Sequence, residues 1–232
     1  MSLFVDGRKK VFNTLKETIH PNDKTIWFHC ASLGEYEQGV PIMEKTKELF
    51  PDHKLIVTFF SPSGFEVKKN TTLANIVLYL PIDTVSNAKK FIELAHPSLA
   101  IFIKYEFWFN YIQTLYKQKI PIYFISVILR KEQYFFKIYG RWFAKQLQKV
   151  DHFFVQDTNT SDLLKSININ DVTVRTRLLS LFCGFSIARH HQFQTFSIQT
   201  CPLSQPLIAA ILLHQCIQLG PLRLDRYYEK FL

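Results

Sequence analysis

Two hydrophobic rhythms alternate along the first three quarters of the chain. Short runs rich in β-branched and aromatic residues fall at 25–29, 54–60, 76–80, 99–104, 121–127, 152–156 and 172–174. Runs of this length and make-up read as strands. Between them lie longer segments of mixed polar and apolar residues, at 37–50, 86–95, 107–119, 132–149 and 158–166, which suit amphipathic helices. Strands that alternate with helices imply right-handed βαβ crossovers, and hence a mainly parallel sheet covered on both faces. The pattern predicts a Rossmann-like α/β domain over residues 22–174, preceded by a basic segment, 1–21.

The rhythm stops there. From 172 to 224 the chain has no Asp, Glu or Lys, and charge is carried by Arg175, Arg177, Arg189 and Arg223. Ordinary domains carry about 25% charged residues. Apolar positions in this stretch keep neither a period of two nor one of 3.6 for long. Residues 175–232 are therefore expected to be an atypical tail with no recognisable domain, of the kind that translation in another reading frame produces.

Composition narrows the function without choosing it. A hydrophobic content of 47% is ample for a core, and a formal charge of +9 points to anionic partners: nucleic acid, phosphorylated small molecules or an acidic membrane surface. No nucleic-acid-binding motif accompanies the charge, so no nucleic-acid partner is expected. Cys30, Cys183, Cys201 and Cys216 form no CxxC pair, which suggests a reducing, cytosolic-side location. Residues 1–10 are polar and basic without a following apolar region, and the longest apolar stretch, 206–213, is far below the roughly 20 residues that span a bilayer.

In open α/β sheets ligands bind outside the carboxyl ends of the strands, so the strand-to-helix turns hold the candidate chemistry. After the first strand comes Ser32-Leu33-Gly34-Glu35, where Gly34 permits a tight turn and close approach of a ligand. Glu35 there suits a general base, or else simply complements the positive end of a helix, as Glu37 also would. After the second strand, Ser61, Pro62, Ser63 and Gly64 read as a capped helix start whose free N–H groups suit a phosphate or carboxylate. After the fourth, Lys104-Tyr105-Glu106-Phe107-Trp108 brings a second carboxylate, a cation and aromatics to the same edge, where Glu106 and Trp108 can hold a sugar or serve as a helix-start acid and a core ring. Lys137, Arg141, Lys145 and Lys149 recur every four residues, with Phe135, Ile138 and Trp142 on neighbouring faces, as in a helix resting on anionic lipid or simply facing solvent. His190, His191 and Cys201 lack the spacing of a zinc site, and neither GxGxxG nor a P-loop is present.

The stretches WFHCASLGEYEQGVPIMEKTKELFP, VTFFSPSGFEV, YLPIDT, PSLAIFIKYEFWFN and DHFFVQDTNTSDLLKSINI resemble, in order and spacing, the amino-terminal half of 3-deoxy-D-manno-octulosonic acid (Kdo) transferases, glycosyltransferases of the two-domain GT-B type. The resemblance covers residues 7–174. It implies inverting transfer of Kdo from CMP-Kdo to a lipid A precursor, in lipopolysaccharide biosynthesis at the cytoplasmic face of the Gram-negative inner membrane. It implies further that Glu35, in the S-x-G-E turn, is the base, that Glu106, in E-x-W, belongs to the active site, and that Ser61 to Gly64 line the acceptor side. Ser32, Gly34, Lys104 and Trp108 are expected beside the substrate, and Lys137, Arg141, Trp142 and Lys145 against the membrane. No metal or cofactor is implied beyond the donor substrate. Two departures accompany it: the chain starts about where the family's membrane anchor would end, and after DVTV it diverges from the family's donor-binding domain. The chain is therefore expected to be an acceptor half without activity of its own; a non-catalytic module that binds anionic glycolipid or membrane is the alternative.

Overall fold

The computed structural model describes residues 2–104, 106–137 and 140–174. The expected tail, residues 175–232, lies outside the described residues, as do His190, His191, Cys183, Cys201 and Cys216. Seven parallel strands form one sheet: β1 (Lys24–Cys30), β2 (His53–Phe59), β3 (Ile76–Tyr79), β4 (Pro97–Ile103), β5 (Ile122–Val127), β6 (His152–Val155) and β7 (Val172–Val174). Their order is β3-β2-β1-β4-β5-β6-β7, with every neighbouring pair parallel. The helices are α1 (Ser2–Thr18), α2 (Leu33–Leu49), α3 (Pro62–Lys68), α4 (Val85–Ala95), α5 (Phe109–Lys117), α6 (Arg141–Leu147) and α7 (Thr158–Ser166). The Rossmann-like α/β fold read from the hydrophobic rhythm is the one observed.

The central strands are buried on both sides, so alternate residues feed two separate cores. Ile26, Phe28 and Cys30 of β1 pack with Tyr36, Ile42 and Met43 of α2 on one face, while Trp27 points to the other, among Phe91, Phe102 and Tyr111. The Trp27 ring is fully buried and its Nε1–H donates to Thr58 Oγ1 at 2.8 Å. Burial of a large ring of this kind contributes about 3 kcal/mol.

Two elements differ from the sequence expectation. The basic segment 1–21 is largely a helix, because Val11, Leu15 and Ile19 recur every fourth residue and are buried, packing α1 against β3 and α4. The single helix expected over 132–149 is instead a 3₁₀ turn, Tyr134–Phe136, followed by α6. The break falls at Gly140, where a Cβ would lie 1.9 Å from the Tyr134 carbonyl oxygen, so the chain doubles back too closely for a continuous helix. Lys137 therefore precedes α6 and Lys149 follows it, and the four cations do not share one helix face.

The strand order reverses between β1 and β4: the chain runs outward through β2 and β3, then returns to place β4 against the other side of β1. The crevice outside the carboxyl ends at such a switch point is the favoured ligand position of this fold class. The turns after β1 and β4 are those that carry Glu35 and Glu106.

Candidate active site

Ser32 is the N-cap of α2, and Glu35 stands in its first turn. The Ser32 hydroxyl makes no capping bond. Glu35 turns back instead, its Oε2 accepting the Ala31 N–H at 2.5 Å, much as an acid in a capping box does. The helix-end role weighed for this residue is thus real, but it occupies one carboxylate oxygen. Glu35 is only 7% exposed. Burial, with a smaller contribution from the nearby Glu106 charge, pushes its pKa up to about 7; the Ala31 N–H, the Lys104 charge and the Ser32 backbone oppose the rise. A carboxyl poised near neutrality is at once ionised enough to take a proton and basic enough to hold it.

Gly34 has open space where a Cβ would stand and adopts no left-handed conformation. The turn does not require it; what glycine leaves here is room over the start of α2. Gly64 is different: a Cβ would lie 2.4 Å from the Phe59 ring and 3.1 Å from the Leu33 nitrogen. Its absence lets the β2–α3 turn close on the β1–α2 turn, and the Ser61 N–H to Ala31 carbonyl bond, 2.8 Å, ties the two together. Pro62 opens α3, Ser61 makes no side-chain cap, and the Ser61 and Ser63 hydroxyls bond each other at 2.8 Å. Ser61, Pro62, Ser63 and Gly64 are thereby brought beside Ser32 and Glu35.

After β4 the chain leaves the sheet through Lys104, which has a φ of 68° and whose N–H donates to the Ile125 carbonyl at 2.7 Å. Glu106 lies in the coil before α5, not in the helix, and is more open than Glu35; desolvation raises its pKa. Trp108 is the N-cap of α5 and packs on Phe60 at 5.0 Å and perpendicular to His29 at 5.4 Å. The YLPIDT stretch holds this helix start: Asp83 accepts the Asn110 N–H at 3.3 Å, Asn110 Nδ2 donates to the Asp83 carbonyl at 3.0 Å, and the Tyr111 hydroxyl donates to the Pro81 carbonyl at 3.0 Å. Behind Trp108, His29 is fully buried with its pKa lowered to about 3 by desolvation, so it stays neutral and is no acid–base partner at neutral pH.

The structure adds residues that the sequence reading passed over. Gln38, one turn beyond Glu35, accepts the Ser126 hydroxyl at 3.1 Å, and Gln156 Nε2 donates to the same hydroxyl. Ser126 sits in β5 with a φ of 63°, at the register shift between Ile125 and Val127. Arg130 and Gln133, in the loop after β5, line the same crevice. The strand-end rule that singled out Glu35 and Glu106 applies equally to this loop, which lacks the glycine and proline of the first two turns and the paired carboxylate and tryptophan of the third.

The set expected against the membrane is only partly assembled. Trp142 is 54% exposed, with Arg141 and Lys145 exposed on the same short helix and Lys137 exposed just before it. The Trp142 ring leans on Phe109 at 5.9 Å and Phe143 at 4.9 Å. No helix among the described residues is long and apolar enough to cross a membrane.

Residues 7–178 match the family model described as 3-Deoxy-D-manno-octulosonic-acid transferase (kdotransferase). The 3-deoxy-D-manno-octulosonic acid transferase of Aquifex aeolicus is 34% identical over 94 residues, 40% of this chain and 26% of that protein. The enzyme of the same name from Haemophilus influenzae is 31% identical over 102 residues, 44% of this chain and 24% of that protein. The matched region thus spans about a quarter of these relatives. Among solved structures, UDP-GlcNAc 2-epimerase from Neisseria meningitidis superimposes with a TM-score of 0.50 at 14% identity, over 65% of this chain and 46% of that one, a likeness of fold alone.

Proposed function

Because this chain belongs to the 3-deoxy-D-manno-octulosonic-acid transferase family, we propose that its described domain serves the acceptor side of Kdo transfer from CMP-Kdo to a lipid A precursor, with Glu35 as the base. The observation that carries this reading is the Glu35 carboxyl itself, buried at the switch point with one oxygen fixed by Ala31 and a pKa near neutrality. In the reaction an acceptor hydroxyl gives its proton to Glu35 as its oxygen bonds the anomeric carbon of Kdo. The bond from that carbon to the phosphate oxygen breaks on the opposite side, and CMP leaves with the electron pair. Glu106 is the second carboxylate of the site, and its charge helps keep Glu35 basic. Ser61, Ser63 and Trp108 offer hydroxyls and an aromatic edge to the acceptor sugar.

The test is Glu35→Gln, assayed with CMP-Kdo and a lipid A precursor, in this chain and in a chimera that joins it to the carboxy-terminal part of the Aquifex aeolicus relative. In any form that turns over, the substitution is expected to lower turnover by about 10²-fold, the scale of a lost general base. Turnover within a few-fold of the parent would remove Glu35 from that role.

The domain is proposed to meet the cytoplasmic face of the bacterial inner membrane peripherally, through Trp142 and the cations Lys137, Arg141 and Lys145. Exposed charges are screened over about 8 Å at physiological ionic strength, so binding to anionic vesicles should fall as salt rises. Neutral vesicles that bind as well as anionic ones would contradict this contact.

A further inference from the structure

Beside the Glu35 turn the carboxyl rim opens into a 410 Å³ cleft lined by Lys104, Ser126, Ile128, Arg130 and Gln133. That volume is of the size that holds a small ligand. From its lining we infer that the cleft is a subsite for an oxyanion, phosphate or carboxylate, carried by a sugar substrate. The inference leans on the transfer reading only for which sugar bears the anion.

Charge is the first argument. Lys45, Lys54, Lys68, Lys69, Lys89 and Lys165 each pair with a carboxylate. Lys104 and Arg130 are among the several described cations that make no ion pair, and what sets them apart is that both line one cavity. Two cations that line one cavity favour an anion bound between them.

The backbone is the second. Lys104 and Ser126 both adopt left-handed conformations, φ 68° and 63°, at the ends of adjacent strands. Neither residue is suited to that region, and such strain persists where the surrounding structure fixes it, typically around ligand sites. The fixing is visible. Lys104 is tied to Ile125, and Ser126 is clamped between Gln38 and Gln156.

The third is what remains free to bind. The Arg130 N–H donates to Gln133 Oε1 at 2.9 Å and its carbonyl accepts the Gln133 N–H at 3.1 Å, so a closed turn holds the residue by its backbone. The guanidinium is left to grip a phosphate or carboxylate with two parallel bonds, the geometry for which arginine is suited. Ile128, 38% exposed, gives the cleft an apolar wall against which a sugar ring can lie. The Lys104 charge is also felt by Glu35. A sugar anchored here by its anion therefore lies next to the proposed base, so the cleft sets orientation as well as affinity.

The anion has two sources on this reading, a phosphate on the acceptor or the carboxylate of the transferred sugar. The experiment titrates the full chain at low ionic strength with inorganic phosphate and, in a parallel arm, with free Kdo, and follows the backbone amides of Ser126, Ile128 and Gln133 by NMR. Saturable binding of at least one probe is expected in the parent chain. It should weaken by about tenfold or more in Lys104→Asn with Arg130→Gln, since each removes a charge-assisted contact; asparagine tolerates the left-handed backbone. Lys16→Gln with Lys117→Gln removes the same formal charge at exposed positions elsewhere and should leave binding unchanged. Arg130→Gln alone repeats the test at an exposed site if the double variant folds poorly. Tighter phosphate binding assigns the cleft to the acceptor, tighter Kdo binding to the transferred sugar. No saturable binding of either probe, or equal loss in both double variants, would overturn the inference. Glu35→Gln removes no cation and should still bind both probes saturably and no more weakly than the parent does, so a failed base assignment and a failed anion subsite give different results.

Discussion

At the amino ends of the strands, Asp23 accepts the His20 N–H at 2.7 Å and the Lys54 ammonium at 2.6 Å, Thr25 donates to the Ala95 carbonyl at 2.6 Å, and Asp151 accepts the Ile122 N–H at 2.8 Å. At the carboxyl ends, Lys104 and Arg130 face a cleft, Glu35 is buried with its pKa raised, and His29 Nε2 and Trp108 Nε1 are buried without a partner among the described residues. The left-handed residues divide in the same way. His96, Lys119 and Asn168 close α4, α5 and α7 ahead of the next strand, the usual place for such a backbone. Lys104 and Ser126 instead sit at strand ends over the crevice. One rim satisfies most of its polar groups within the chain and so ties helices to strands, His53 Nδ1 being the buried atom there without a partner among the described residues. The other leaves charge, strain and hydrogen-bonding capacity for something that is not part of the chain.

The largest test of this contrast is pH, because Asp23 at one rim and Glu35 at the other are shifted in opposite directions, while Asp151 at the amino rim is raised by burial as Glu35 is. The Lys54 hydrogen bond, with the His20 amide, lowers the Asp23 pKa, so its contribution is present above the ordinary value of 3.8 and is lost as the solution is acidified. Glu35 has a folded pKa raised from 4.5 to about 7, so the native state is favoured fully below the ordinary value and loses that advantage as pH rises through 7. The loss amounts to as much as about 3 kcal/mol once the group is ionised. Glu35→Gln keeps an oxygen for the Ala31 N–H and abolishes the titration. It should leave stability nearly unchanged at about pH 4 and raise it by up to about 3 kcal/mol at about pH 8.5, measured by urea unfolding. The same substitution is expected to remove activity, so stability gained and function lost would fall on one residue. A variant no more stable than the parent at high pH would show that the carboxyl rim is as well compensated as the amino rim.

Much of this contrast was legible before any coordinates. Burial on both faces makes strands such as 122–127 and 152–155 nearly continuous apolar runs, and their alternation with helical segments leaves few topologies. Glu35 and Glu106 were found because the chain direction alone places strand-to-helix turns at one edge. What escaped depends on distance along the chain or on backbone geometry. The Gly140 break is set by the Tyr134 carbonyl meeting it, the role of Gly64 by contacts with Phe59 and Leu33, and the cleft by Arg130 coming beside Lys104. The register shift that accompanies the left-handed Ser126 leaves no mark in the sequence. Helix α1 was the avoidable omission, since Val11, Leu15 and Ile19 carry its spacing openly.

The smallest test sets one left-handed lysine against another. Lys104 and Lys119 have φ values of 68° and 58°, one at the carboxyl rim and one just past the end of α5 at the amino rim. A left-handed backbone costs a side-chain-bearing residue about 1–2 kcal/mol, and glycine returns about 0.5–1 kcal/mol of that as extra freedom in the unfolded chain. Lys104→Gly and Lys119→Gly should therefore each raise stability by about 0.5 kcal/mol, because the local strain is the same. Their effect on ligand binding should differ. Lys119→Gly removes a charge that faces only solvent and should leave phosphate titrations unchanged, whereas Lys104→Gly should weaken them several-fold. If both variants gained stability and both bound as the parent does, the strain at Lys104 would be an ordinary feature of a turn, and the distinction between the rims would rest on Glu35 alone.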